Sequence, residues 1–264
     1  MAAGSLVTRK PAFEDPITNR SLQRGIEVLR AFRPGTDLLG NGELAERTGL
    51  SRATVSRLTQ TLVGSGMLEH DLSARAYRLA PAVLSLAHAM RAGSPLLATV
   101  TPLLRAAAQT HRVNAGLAAA DRDDMIYLES IRYHPRASLR TIVAGQRVPI
   151  RLTSLGRAWL AGIALGERDA IMRDYKKRFR KSWKMLGVEL EDSFGSVMRE
   201  GFCVATWQPG VVALGAPLIL PSGRTLAINM SVSGIEDSTS VVARLATPLL
   251  RLKADIEAAL QEAA

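Results

Sequence analysis

Ala45, Gly49 and Val55 stand at relative positions zero, four and ten of the string AERTGLSRATVSRL. This spacing constrains the chain more than any other feature. A helix-turn-helix needs a small residue where its two helices touch, a glycine where the backbone turns, and an apolar residue that holds the second helix down. The flanking pattern agrees. A helical period starts at Arg20, with Leu22, Ile26 and Leu29 as its apolar stripe, and ends at Pro34-Gly35. A second helix is expected over about Gly42–Thr48, with Leu44 and Ala45 inward. Ser51 has N-cap chemistry for a third, Arg52–Gly64, which stops at Gly64-Ser65-Gly66. Two strand-like runs, Met67–His70 and Ala76–Leu79, follow around the polar turn Asp71–Arg75. Three helices and a hairpin predict a winged helix-turn-helix over residues 20–80.

The wheel of the third helix turns Val55, Leu58 and Leu62 inward and Ala53, Ser56, Arg57 and Gln60 outward. The outer face carries cations and short hydroxyl or amide groups and no carboxylate, so it can approach a major groove. Arg57 or Gln60 is expected on base edges, with Ser51, Arg52 and Thr54 on phosphates. His70, Arg75 and Arg78 would make a basic wing beside the duplex. The alternative is an ordinary solvated helix face.

Residues 1–19 are polar, carry two prolines and show no period, which predicts a flexible arm. Pro81–Ala92 reads as a linker helix within a connecting segment 81–94, and Gly93-Ser94-Pro95 punctuates it. Residues 95–264 mix helices and strands, giving an α+β chain overall. Helices are expected over Val100–Thr110, Ser154–Leu165, Asp169–Lys184, Leu190–Glu200 and Ser238–Gln261. Strands are expected at Gly116–Ala120, Met125–Ser130, Leu139–Val143, Phe202–Thr206, Val211–Leu220 and Thr225–Val232.

The chain of 264 residues holds 34 Lys and Arg against 24 Asp and Glu, a net charge of +10 that favours a polyanionic partner. Most of that excess lies outside the helix-turn-helix. Ser130–Leu160 contains six arginines and no acid, and Arg173–Lys184 contains seven cations and only Asp174. The first segment is expected to favour an anionic ligand, and the second to be a solvated face. No run of eighteen apolar residues and no secretory h-region appears, which predicts a cytoplasmic protein with no membrane partner. One cysteine and four scattered histidines offer no disulfide framework or metal cluster. No nucleophile elbow, phosphate loop or dinucleotide fingerprint is present, so neither an enzyme nor a cofactor is expected. Asp121, Asp123 and Asp124 are read as turn residues rather than catalytic acids.

The pieces RSLQRGIEVLRAF, ELAERTGLSRATVSRLTQTLVGSGMLE, AYRLAPAVLSLA, DDMIYLES, GQRVPIRLTSLGRAWLAG, REGF and APLILPSGRTLAINMSVSG occur in this order. In this order they resemble the IclR family of bacterial transcriptional regulators across nearly the whole chain. The resemblance implies a C-terminal GAF-like domain, residues 95–264, that binds a small organic acid. It also implies a homodimer or homotetramer on a palindromic double-stranded DNA operator. The family's ligand sits against the helix start matching Thr153–Ala158, which carries Ser154, Leu155 and Gly156 over as anion-binding residues. The matching strand supplies Ser231 and Ser233, placed on one face by alternation. After REGF the family often has an acidic stretch, whereas Cys203–Gly210 has no carboxylate. That departure favours an anionic or aromatic effector, with Cys203, Trp207 and Val211 at the pocket and Trp207 able to stack on a ring. The alternatives are a Trp207 and a Cys203 that merely pack in the core. The wording GQRVPIRLTSLGRA is closer to the branch regulating aromatic-acid catabolism. Of the six arginines, Arg140 and Arg151 are expected first as carboxylate partners. Two other readings stay open: an enzyme acting on a small acid, and a basic protein binding nucleic acid without sequence preference.

Overall fold

The computed structural model describes residues 19–133, 143–234 and 236–262. Apart from Asn19, the expected arm lies outside them, as does Arg140. So does the strand expected at Leu139–Val143, except for Val143, which is in no strand. The chain divides into two compact units after Gly93.

The first unit opens with α1 (Arg20–Arg30), capped by the Asn19 side chain, whose oxygen accepts the amides of Ser21 and Leu22 at 3.0 Å. A two-residue strand β1 (Leu39–Gly40) leads into α2 (Asn41–Thr48), and α3 (Arg52–Gly64) follows. The strands β2 (Leu68–Asp71) and β3 (Ala76–Leu79) pair antiparallel, and β1 adds to the other edge of β3. Helix α4 (Pro81–Ala92) ends the unit with none of its residues buried. Val28, Leu39, Leu44, Val55 and Leu68 form the core together with Tyr77. Each such side chain contributes about 1.5–3 kcal/mol by leaving water.

The stripe expected on α1 is rotated. Leu22 and Ile26 are 64% and 45% exposed, while Gly25 and Val28 face the core. Leu29, the third residue of the expected stripe, is half-buried against that core. Strand β1 escaped sequence reading because two residues carry no alternation.

In the second unit Ser94 caps α5 (Pro95–His111), starting it earlier than the expected Val100. Proline at the first helical position is pre-organised for such a start. Strands β4 (Asn114–Asp121) and β5 (Asp124–Ile131) form a hairpin, and β6 (Arg147–Pro149) joins the edge of β5. Helices α6 (Ser154–Gly162), α7 (Leu165–Arg178) and α8 (Trp183–Glu200) come next. The charged stretch thus breaks after Arg178, not after Lys184. Strands β7 (Cys203–Ala205), β8 (Val211–Ile219) and β9 (Thr225–Ser233) and helix α9 (Ser238–Glu262) complete the unit.

All six strands of the second unit form one antiparallel sheet in the order β6-β5-β4-β9-β8-β7. Alternation splits its two faces. Leu117, Ile228 and Met230 pack with Leu104 of α5 and Leu245 and Leu249 of α9. Ala118, Tyr127 and Ala227 lie on the opposite face, with Leu155 of α6, Ile171 of α7 and Leu190 of α8. A helix, sheet and helix sandwich results, and its second face carries the cavity.

Candidate functional site

The helix-turn-helix is built as its spacing demands. Gly49 ends α2 in the left-handed region at φ 70, its amide donating to Ala45 O at 2.9 Å. Ala45 is half-buried against the core and Val55 is fully buried. Ser51 Oγ accepts the Thr54 amide at 3.2 Å and lies 2.9 Å from the Thr54 hydroxyl. This cap is worth about 1 kcal/mol and engages the two hydroxyls expected on phosphates. Arg52, Ala53, Arg57 and Gln60 are exposed, while Thr54 and Ser56 are half-buried. Leu58 and Leu62 are only half-buried, and Thr59, which the wheel did not single out, is fully buried. The Thr59 hydroxyl donates to Ser56 O at 3.1 Å, so its methyl faces the core without an unpaired polar group.

The wing is less basic than its composition suggests. Arg78 Nη2 pairs with Asp71 Oδ2 at 2.7 Å. Asp71 also accepts the Ser73 hydroxyl and the Ala74 amide, bonds that with Arg78 hold its pKa down at about 2. His70 stacks on Tyr77 with ring centroids 4.7 Å apart. Arg75 sits in the turn at φ 49 and is exposed.

In the second unit two adjoining lobes share Tyr127, Gln208, Val211, Asn229 and Ser231. The first lobe is walled by Val148, Ala205, Trp207 and Ala213 and by the start of α6 at Thr153, Ser154 and Leu155. The second is more polar, with Asn114, Ser130, Arg132 and Ser233. Ser231 lies opposite Ala213 on one side and Asn114 on the other, so sheet register brings these walls together.

The α6 start borders the first lobe. Thr153 Oγ1 accepts the Gly156 amide at 3.2 Å, and Thr153 O takes the Arg157 amide. Ser154 and Leu155 are the first two residues of α6, where amides lack intrahelical acceptors and sit at the positive end of the helix dipole. Gly156 is therefore a packing residue rather than an anion ligand. A Cβ there would come within 2.1 Å of Ile150 O, and one at Gly215 within 2.4 Å of Ser154 O. Two glycines let α6 press its first turn between the Ile150 backbone and β8.

Ser154, Leu155, Trp207, Val211, Ser231 and Ser233 are thus brought together, and Gly156, Cys203 and Arg151 are not. Cys203 is fully buried behind the helix start, its thiol directed at Ser154 O 3.5 Å away, and burial pushes its pKa up to about 12. It packs rather than lines the cavity. Arg151 stacks its guanidinium 4.4 Å above the Phe179 ring, away from both lobes. Arg140 lies outside the described residues. Tyr127, Asn229, Gln208 and Arg132 line the cavity and were not expected there. They reach it from β4's two neighbours and an irregular loop, and no local spacing announces that.

The acid-free arginine segment finds its carboxylates far along the chain. Arg147 holds Asp121 and Asp124 across the β4–β5 turn, and Arg157 pairs with Glu189 of α8. Arg178 grips both oxygens of Asp123 at 2.8 and 2.9 Å and also Asp174. Fold-holding, not ligand charge, accounts for Arg147 and Arg157. The three turn aspartates are clamped by cations. Among the described residues, no group of three or more His, Cys, Asp or Glu side chains is placed to hold a metal ion. Nor is any helix among them long and apolar enough to cross a membrane.

A winged helix-turn-helix followed by an α+β unit with an internal cavity defines a DNA-binding transcriptional regulator. Residues 21–72 match the IclR helix-turn-helix domain. The chain is 31% identical over 226 residues to the Pca regulon regulatory protein of Pseudomonas putida, covering 82% of this chain and 75% of that one. It is 31% identical over 188 residues to the HTH-type transcriptional regulator TsaQ1/TsaQ2 of Comamonas testosteroni, covering 70% of this chain and 66% of that one. An IclR family transcriptional regulator from Brucella abortus has a TM-score of 0.87 at 29% identity, over 95% of this chain and 96% of that one. An IclR homolog from Microbacterium hydrocarbonoxydans, complexed with 4-hydroxybenzoate, shares the fold at a TM-score of 0.66 and 20% identity, over 92% and 99%. The chain belongs to the IclR family of transcriptional regulators.

Proposed function

We propose that the cavity of the second unit binds a small aromatic acid and that this binding changes the affinity of the first unit for its operator. The observation that carries the reading is the first lobe. The Ser154 and Leu155 amides offer a carboxylate two donors, and Trp207 and Val211 offer a ring its apolar walls. Among the described residues no carboxylate lines either lobe to repel an anion. Arg132 in the second lobe is the cation best placed to take a further acidic group. The complex of the Microbacterium homolog with 4-hydroxybenzoate supports an aromatic acid over an aliphatic one.

In this reading the domain is GAF-like, residues 1–19 are an arm, and 81–94 link the DNA-binding and effector domains in a cytoplasmic homo-oligomer. Leu22, Ile26, Leu84, Leu86 and Met90 are exposed in the single chain, and a second copy would cover them. Arg57 and Gln60 read base edges of a palindromic operator, with Arg52, Ser51, Thr54, Ala53 and Ser56 closing on the groove wall. Arg75, His70 and Arg78 lie along the wing.

The test is a thermal-shift titration of the full chain with 4-hydroxybenzoate, benzoate and hexanoate. A ligand at a hundredfold its Kd adds about 2.7 kcal/mol of apparent stability, a shift of a few degrees or more. The aromatic acids should raise the midpoint and Ser154→Phe should abolish the rise. An equal rise in Ser154→Phe would place the acid elsewhere.

A further inference from the structure

Arg173, Lys176, Lys177, Arg180, Lys181 and Lys184 are all exposed, along the end of α7 and the start of α8. None of the six makes an ion pair among the described residues. Asp174 is the segment's one acid, and Arg178 already holds it at 2.9 Å.

Helix electrostatics account for part of this cluster. Lys176 and Lys177 lie in the last turn of α7, where the helix dipole favours cations. The dipole of α8 opposes the others. Arg180 and Lys181 precede it, Lys184 stands in its first turn, no acid occupies that turn, and Ser182 makes no side-chain cap. Cations gathered at the positive end of a helix, with no acid between them, repel one another and the helix start. A polyanion laid across them removes that repulsion and releases its own counterions.

We infer that this basic surface of the second unit binds the phosphate backbone of double-stranded DNA, as a contact additional to the helix-turn-helix. DNA is the polyanion such a regulator already occupies. The surface is a run of six cations along two helix ends, so the contact we infer is to phosphates and indifferent to sequence.

The test measures binding of the full chain to a long random-sequence duplex across a range of salt, beside a variant carrying Lys176→Gln, Lys177→Gln, Lys181→Gln and Lys184→Gln. Each phosphate contact contributes about −0.9 to the slope of log K against log salt, so the variant should lose about 2–4 from that slope. An unchanged unfolding midpoint shows that the variant folds, since all four side chains are exposed. An unchanged slope overturns the inference. So does a variant that keeps its DNA slope but loses the wild-type chain's binding to phosphatidylglycerol vesicles, which would assign the surface to a membrane.

Discussion

The amide of Asn229 donates to the hydroxyl of Tyr127 across 3.4 Å where the two lobes of the cavity meet. Both side chains are buried, and burial pushes the Tyr127 pKa up to about 12. The neutral phenol is thus the form the fold accepts.

This sets an alkaline limit on stability. Cys203 is raised from 9.0 to about 12 and Tyr127 from 10.0 to about 12. A group raised on folding contributes fully below its unfolded value and loses that contribution as pH climbs through its folded value. Urea-unfolding midpoints should hold up to about pH 9 and fall between there and pH 12. Tyr127→Phe should lessen the fall, since a two-unit shift corresponds to at most about 3 kcal/mol. An identical profile in Tyr127→Phe would show that Tyr127 does not contribute.

Gly156→Ala tests packing against ligand binding at the start of α6. The added Cβ meets the Ile150 backbone, which cannot swing aside as a flexible side chain can. A loss of about 1–3 kcal/mol of stability is expected, as for other overpacked sites, and calorimetry reads it directly. A variant as stable as the parent would mean that the first turn of α6 is more loosely held than the structure indicates.

Arg57→Ala bears on the DNA side. Arg57 is exposed on α3 and has no ion-pair partner among the described residues. If it reads a base, operator preference over random DNA should drop by about 1–3 kcal/mol in competition anisotropy. Equal losses on both duplexes would make it a phosphate contact.

Trp207, 39% exposed at the first lobe, separates stacking from bulk packing. Trp207→Leu should weaken benzoate by about 0.5–1.5 kcal/mol and leave hexanoate nearly unchanged in calorimetric titrations. Parallel losses would mean that the indole only shapes the wall.

The DNA-binding half was legible in the sequence because its determinants are local. Ala45, Gly49, Ser51 and Val55 fall within a stretch short enough for spacing alone to state the turn. The cavity was legible where alternation along one element applies, as for Ser231 and Ser233, or where a helix start is marked, as at Ser154. It was not legible where several strands converge: Tyr127, Asn229 and Arg132 meet only because β4 runs between β5 and β9. Charge failed for the same reason. Arg157 looked free of acids within its segment, while its partner Glu189 comes from α8.

The central claim is that an acid in the cavity alters DNA affinity. Its most direct test is the Kd of the full chain for duplex DNA from the region upstream of its own gene, by anisotropy, with and without saturating 4-hydroxybenzoate. Coupling between the sites predicts a change of about 5-fold or more, in either direction, that Ser154→Phe removes while its DNA binding without acid stays intact. Contradiction would be an acid that binds the cavity, seen by its thermal shift, and leaves the Kd for that DNA unchanged.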